Sequence, residues 1–297
     1  MTWFWIALGA YLALLAVAAY VSVRPPRIPV FSGPGLAGFP QEVVEIPCGE
    51  GRGLPAWWCP APGSRVVVIL VHGYLMNRSE LASLAIWLLS RGVSCLLPDQ
   101  RAHGNGPSGP CGFGVRDAAD IANAAREARK LQPGSKIILV GSSMGGAACA
   151  FALGEEPDLA DALVLDCSYS RLWVAALGWW RFLGGRVLQA FMAPTLLIGP
   201  LFSRVNPFAA DVAKSLTQLG DTPVLLFHGD RDTLVPPSEA ERNLRACSGP
   251  AKLVWLRGCG HAEGRWLLPE EYLAELEGFL RECGVQLEPP GTKRPLP

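Results

Sequence analysis

The five residues Gly141-Ser142-Ser143-Met144-Gly145 constrain the fold of this chain more than any other stretch. They join Lys136-Ile-Ile-Leu-Val140, which is short, apolar and free of turn residues, to Gly146-Ala-Ala-Cys-Ala-Phe-Ala-Leu153, a run of small residues. The first reads as a parallel strand buried on both faces and the second as a helix. A serine on so sharp a strand-to-helix turn needs a strained backbone, and glycines two positions to either side let strand and helix approach closely. Its hydroxyl then stands clear of the main chain at the positive end of the helix, which is the setting of a nucleophile elbow.

The flanking sequence supplies the sheet that such a turn requires. Arg65-Val-Val-Val-Ile-Leu-Val71 is the strongest strand signal, and Val93 to Leu97, Asp161 to Leu165, Pro223 to Phe227 and Lys252 to Leu256 follow it. Helical spacing or helix-forming composition falls between them at Asn77–Ser90, Val115–Leu131, Pro207–Leu219, Pro237–Ala246 and Pro269–Arg281. Alternation at these lengths predicts βαβ units and a mostly parallel sheet with helices on both faces. Gln41–Ile46 and Leu54–Cys59 read as an edge hairpin. Residues 168–206 break the rhythm: they are aromatic and apolar without a strand period, and are expected as a cap inserted over the sheet. The cap packs on its own core or touches lipid, and an insertion that returns to the sheet can enter at most one leaflet.

Trp3 to Val23 carries no charge, and its 21 residues would span about 30 Å as a helix, the thickness of a bilayer's hydrocarbon core. No Lys or Arg precedes it, as a cleaved signal peptide would require. Residues 1–23 are therefore read as a single-pass membrane anchor, and Arg24 and Arg27 directly after it place the following body on the cytoplasmic face. Residues 24–40, with five prolines, read as a stiff spacer, so that the anchor merely tethers and a chain cut after Val23 should keep its chemistry. The folded domain is expected over 41–283 and a flexible tail over 284–297.

The 26 basic and 26 acidic residues balance without a basic cluster, which argues against nucleic acid. Nine scattered cysteines include no C-x-x-C pair; they argue against a zinc site or a disulfide framework, and no cofactor or metal is expected.

A serine nucleophile needs a base, an acid to orient it, and donors for an oxyanion. The four histidines, 72, 103, 228 and 261, each follow a strand or lie in the loop beyond one, where an open parallel sheet carries its chemistry. His261, in the glycine-flanked loop Gly258-Cys-Gly-His-Ala-Glu263, is the expected base. Asp232 is the expected acid, in the chain order Ser, Asp, His; Asp230 and Asp166 compete with it. The backbone N–H groups of Tyr74 and Met144 are the expected oxyanion donors, with His72, Gly73, Gly141 and Gly145 as structural support.

His72-Gly73, Asp99-Gln-Arg-Ala-His-Gly104, Gly141-Ser-Ser-Met-Gly145, His228-Gly-Asp-Arg-Asp232-Thr-Leu-Val-Pro236 and Gly260-His261 together resemble the α/β-hydrolase superfamily, over about residues 41–283. They most resemble its membrane-anchored, ABHD-like and Bem46-like serine hydrolases, related to the S33 serine aminopeptidase type. The resemblance implies Asp232 as triad acid and Asp99, Arg101 and His103 as a brace at the rim of the site, with Gln100 and Ala102 as mild departures. The implied activity is cleavage of carboxylic esters or thioesters of acyl or lipid-like substrates through an acyl-enzyme. A peptidase or amidase, and a binding protein with a silent site, are the competing readings.

Overall fold

The computed structural model describes residues 1–49 and 52–289. Its centre is an eight-stranded sheet in the order β1-β2-β4-β3-β5-β6-β7-β8. The strands are β1 (Glu42–Cys48), β2 (Arg52–Cys59), β3 (Val66–Val71), β4 (Ser94–Pro98), β5 (Lys136–Ser142), β6 (Ala162–Asp166), β7 (Val224–Gly229) and β8 (Ala251–Leu256). β1 and β2 pair antiparallel, β2 pairs antiparallel with β4, and every later pairing is parallel. The continuous apolar runs β3, β4, β6 and β7 are buried along their whole length, as strands covered on both faces must be.

The helices are α1 (Thr2–Ser22), α2 (Ala82–Ser90), α3 (Ala118–Leu131), α4 (Met144–Glu155), α5 (Leu172–Met192), α6 (Thr195–Ser203), α7 (Val212–Leu216), α8 (Pro237–Ala246), α9 (Gly264–Leu267) and α10 (Pro269–Glu282). They divide the apolar core into two layers. On one face Ala124, Ala125 and Ala128 of α3 and Ala147 and Ala148 of α4 meet Val67, Ile69 and Leu139. On the other, Leu84 and Leu88 of α2 and Leu276 and Leu280 of α10 meet Val68, Leu70 and Val140. The small residues of α3 and α4 let these helices lie close to the strands.

The insertion after β6 is helical: α5 breaks at Gly184 and Gly185, where the dihedrals leave the helical region, and α6 turns away from α5 by 95°. The helix expected over 207–219 shrinks to α7.

Two expected boundaries differ from the structure. Residues 24–40 do not stand off as a spacer. Arg27 Nη1 donates to the carbonyls of Gly104 and Gly106, Asn77 Nδ2 donates to those of Ile28 and Pro29, and Ser79 Oγ accepts the N–H groups of Phe31 and Ser32. Prolines remove only their own donors, and the carbonyls left over are taken up by the body. At the other end, Val285 and Leu287 are buried with α10, so the packed chain runs past Cys283. The remainder of the expected tail, 290–297, lies outside the described residues.

The first helix is also joined to the body. Leu15 and Ala19 are buried, Tyr11 Oη donates to the Phe191 carbonyl, and the carbonyls of Ser22 and Val23 accept Tyr74 Oη–H (2.7 Å) and Cys111 N–H (2.7 Å). The side chains elsewhere along α1 are mostly exposed and apolar.

Candidate active site

β5 ends at the elbow. Ser143 has φ +48° and ψ −111°, outside the regions an L-residue adopts freely. The strain is held by close packing on both sides: a Cβ on Gly141 would lie 2.3 Å from Gly146 N, and one on Gly145 would lie 2.2 Å from the Val71 carbonyl oxygen. Only glycine fits at either position. The main-chain N–H of Ser143 donates to the Asp166 carbonyl (2.7 Å), which pins the turn to β6.

His261, in the loop after β8, faces this serine. Its Nε2 is 2.8 Å from Ser143 Oγ and its Nδ1 is 2.7 Å from Asp232 Oδ2. An ionised carboxylate only accepts, so Nδ1 carries the proton and Nε2 of the neutral ring accepts from the serine hydroxyl. Asp232 Oδ1 takes the N–H groups of Leu234 (2.9 Å) and Val235 (2.8 Å), which orient the carboxylate from the turn after β7. The competing acids go elsewhere. Asp230 accepts Gly258 N–H at the surface, and Asp166 faces Arg265 and Tyr272 beneath the elbow.

His228 packs beside this triplet, with Nε2 2.9 Å from the Val235 carbonyl and 3.6 Å from Asp232 Oδ2; burial pushes its pKa down and keeps it neutral. Cys167, His228 and Asp232 offer ligand-type atoms within 4.8 Å of one another. Each is already engaged: Cys167 Sγ accepts Ala262 N–H, and burial holds its thiol far above the usual range.

Gly73 and Tyr74 follow β3 alongside the elbow, with Gly73 close to Ser143 Cβ. Tyr74 and Met144, first residue of α4, line the same cavity as Ser143. His72 is fully buried; its Nδ1–H donates to the Gly73 carbonyl (2.8 Å) and its Nε2 accepts Gln100 N–H (3.0 Å), with desolvation lowering its pKa. Asp99 accepts the N–H groups of Arg78 and Asn105, Arg101 pairs with Asp120, and His103 donates to the Arg101 carbonyl. These three residues shape the loop at the edge of the site without touching Ser143.

Three features were not anticipated from the sequence. The first is a buried network in which Glu80 accepts from Gly73 N–H, Ser142 Oγ–H and Arg265, while Arg265 also faces Asp166 at 3.2 Å. The second is the seating of the cap: Arg181 Nε donates to the Thr233 carbonyl beside Asp232, and Trp179 lies 5.7 Å from Tyr74, ring to ring. The third is that Ala19, Ser22 and Val23, at the end of α1, wall the cavity over Ser143. That cavity measures about 1000 Å³ and is otherwise lined mainly by cap, linker and aromatic side chains. It is at the upper end of the ~300–1,000 Å³ usual for small-molecule sites.

A mostly parallel sheet that presents an elbow serine at the carboxyl ends of its strands, under a helical cap, defines a hydrolase of the α/β class. The comparisons agree with that class: a sequence profile described as the alpha/beta hydrolase fold matches residues 66–199, and the chain has that fold. The structure of an esterase from Pyrococcus furiosus superposes with a TM-score of 0.73 and 27% identity, over 89% of this chain and 98% of that one. An uncharacterized protein of Mycobacterium tuberculosis is 29% identical over 266 residues, 88% of this chain and 86% of its own. An uncharacterized membrane protein of Saccharomyces cerevisiae is 22% identical over 258 residues, 83% of this chain and 84% of its own.

Proposed function

We propose that the protein is a membrane-anchored serine hydrolase of the ABHD-like, Bem46-like branch, cleaving ester or thioester bonds of acyl substrates. The observation that carries this reading is the hydrogen-bonded chain Asp232–His261–Ser143 at the floor of a large apolar cavity. His261 Nε2 takes the Ser143 proton as Oγ attacks the carbonyl carbon. The N–H groups of Tyr74 and Met144 stabilise the oxyanion, and the imidazolium, steadied by Asp232, returns its proton to the leaving oxygen or sulfur. Water then adds to the acyl-enzyme with His261 again as base, and the acid leaves.

Trp179, Phe182, Leu196 and Ile86 along the wall suit an acyl chain. A peptidase selecting a charged amine needs an unengaged carboxylate. The two in the lining, Glu80 and Glu263, already accept main-chain N–H groups. The likeness to the Pyrococcus furiosus esterase favours the same reading. α1, apolar and long enough to span, supplies the anchor, with the body on the cytoplasmic side by the rule that places Arg24 and Arg27 there.

The test is turnover of p-nitrophenyl esters from acetyl to palmitoyl, beside an aminoacyl anilide, by the wild type and by Ser143→Ala. Ester turnover that rises with chain length and disappears in the variant is expected. Preference for the anilide would move the protein to the peptidase class.

A further inference from the structure

A second cavity, of about 410 Å³, lies apart from the catalytic one where α1 leaves its apolar stretch. Four arginines converge on it: Arg24 after α1, Arg101 after β4, Arg116 before α3 and Arg204 after α6. Only Arg101 has a carboxylate partner among the described residues, Asp120, with Nη2 3.0 Å from Oδ1. Asp117 lies near Arg116 and, although burial raises its carboxyl to about 6, it is charged at neutral pH and counters Arg116 in part. Arg116 donates to the Ser203 carbonyl at 3.3 Å, and Arg24 stacks over the Tyr20 ring at 4.4 Å. Arg24 and Arg204 are exposed and have no carboxylate partner among the described residues, so both are open to an anion that enters the cavity.

The apolar surroundings say where the anion comes from. Tyr20 meets Phe202 of α6 with ring centroids 5.6 Å apart, and Tyr11 meets Phe191 at the end of α5 at 4.7 Å. Tyr11 and Tyr20 are separated by about 14 Å along a helix, so the cap lies beside roughly the second half of a ~30 Å span. Leu201, next to the arginines, is 78% exposed, and Val187 and Leu197 of the cap are 84% and 71% exposed. Side chains this apolar and this exposed, on an element in contact with the span, continue the lipid-facing surface of α1. The arginines sit at the headgroup end of that surface.

We propose that this cavity binds the phosphate headgroup of an anionic membrane lipid, with Arg24, Arg116 and Arg204 on the phosphate and the lipid's acyl chains along Leu201 and Phe202. Guanidinium groups pair with phosphate oxygens in bidentate fashion, which lysines would not do. The site fixes the cap against α1 and sets the depth at which the catalytic cavity meets the leaflet. It rests on the reading of α1 as a membrane span, and not on the chemistry assigned to Ser143.

The full chain is incorporated into phosphatidylcholine vesicles containing pyrene-labelled phosphatidylglycerol or pyrene-labelled phosphatidylcholine, and energy transfer from the protein's tryptophans is read. Stronger transfer to the phosphatidylglycerol label is expected in the wild type and equal transfer to the two in Arg116→Gln/Arg204→Gln. Arg126→Gln/Arg129→Gln, which removes the same charge from α3, is expected to keep the preference. Loss of preference in that control as well would reduce the effect to overall charge and overturn the site, as would equal transfer in the wild type. Displacement of the labelled lipid by millimolar inorganic phosphate would make this a free-phosphate site and overturn the lipid assignment. Failure of the chain to float with the vesicles would sink the anchor, and the site with it. Hydrolysis by wild type and Ser143→Ala in the same vesicles reports on the catalytic reading separately.

Discussion

Glu80 accepts the main-chain N–H of Gly73 at 2.7 Å with one carboxylate oxygen and receives Ser142 Oγ–H and Arg265 Nη2 on the other, each also at 2.7 Å. A single buried carboxylate thereby joins the residue before Tyr74, the residue before Ser143 and the helix that follows His261. All three parts of the candidate mechanism are held to one another from below. Burial alone would raise the pKa of Glu80, but Arg265 and the Gly73 amide lower it, so the ionised form is the one the fold holds.

Glu80→Gln keeps the shape and removes the charge. Breaking one partner of a buried ion pair typically costs ~3–5 kcal/mol; Asp166, still facing Arg265, should hold the loss toward the lower end. Thermal unfolding in detergent is expected to shift down, and kcat for a short ester to drop about tenfold with a smaller change in KM, because the oxyanion segment and the elbow lose their common brace. Unchanged unfolding and unchanged kcat would remove the brace from the account.

Ser143→Ala and His261→Ala are each expected to lower kcat by about 10³-fold or more, and the double substitution to lower it no further, since the two act as one unit. Asp232→Asn is expected to cost a similar factor for a different reason: its amide can donate toward Nδ1 and turn the imidazole to the wrong tautomer. Additive losses across the three, measured on p-nitrophenyl butyrate, would speak against a concerted chain.

The elbow, its strand and helix, and a mostly parallel sheet were legible because each rests on local signals: buried apolar runs, glycines at fixed offsets, a histidine in a glycine-flanked loop. Asp166, Asp230 and Asp232 all fall between Ser143 and His261 in the chain; the His228-Gly-Asp-Arg-Asp232 pattern favoured Asp232, and the Leu234 and Val235 amides hold its carboxylate toward His261. Glu80 and Arg265 carry no such signal. They lie 185 residues apart, and their pairing exists only once β3, β5 and the loop after β8 are side by side. The spacer misled for a related cause: a run of prolines describes a chain without partners, and Asn77, Ser79 and the Gly104–Pro107 loop are partners that sequence neighbours do not reveal.

Asp117 makes stability depend on pH. It is fully buried, one oxygen accepts Gly114 N–H at 2.8 Å, and desolvation raises its carboxyl to about 6. The unfolded carboxyl titrates near ~3.9. Between those values the folded chain binds a proton that the unfolded chain does not, so stability from this group is present at low pH and lost as pH rises toward 6. Asp117→Asn is expected to be more stable than wild type above pH 6 by roughly 2–3 kcal/mol, the worth of about two pKa units, with the difference shrinking toward pH 4. Parallel curves of unfolding temperature against pH for the two proteins would show that Asp117 is not the source.

The first helix forms part of the site. Its last turn walls the catalytic cavity through Ala19, Ser22 and Val23, and its terminal carbonyls accept Tyr74 Oη–H and Cys111 N–H. Tyr74 is half-buried, and burial pushes its pKa up. A chain cut after Val23 loses the Ser22 acceptor and opens the cavity beside the residue proposed to stabilise the oxyanion. Turnover of p-nitrophenyl butyrate by the truncated chain is therefore expected to fall by about tenfold, chiefly through kcat. Tyr74→Phe in the full chain, which removes the hydrogen bond and keeps the wall, should fall by less. Full turnover in the truncated chain would return α1 to the role of a simple anchor and leave the Tyr74–Ser22 contact without consequence for catalysis.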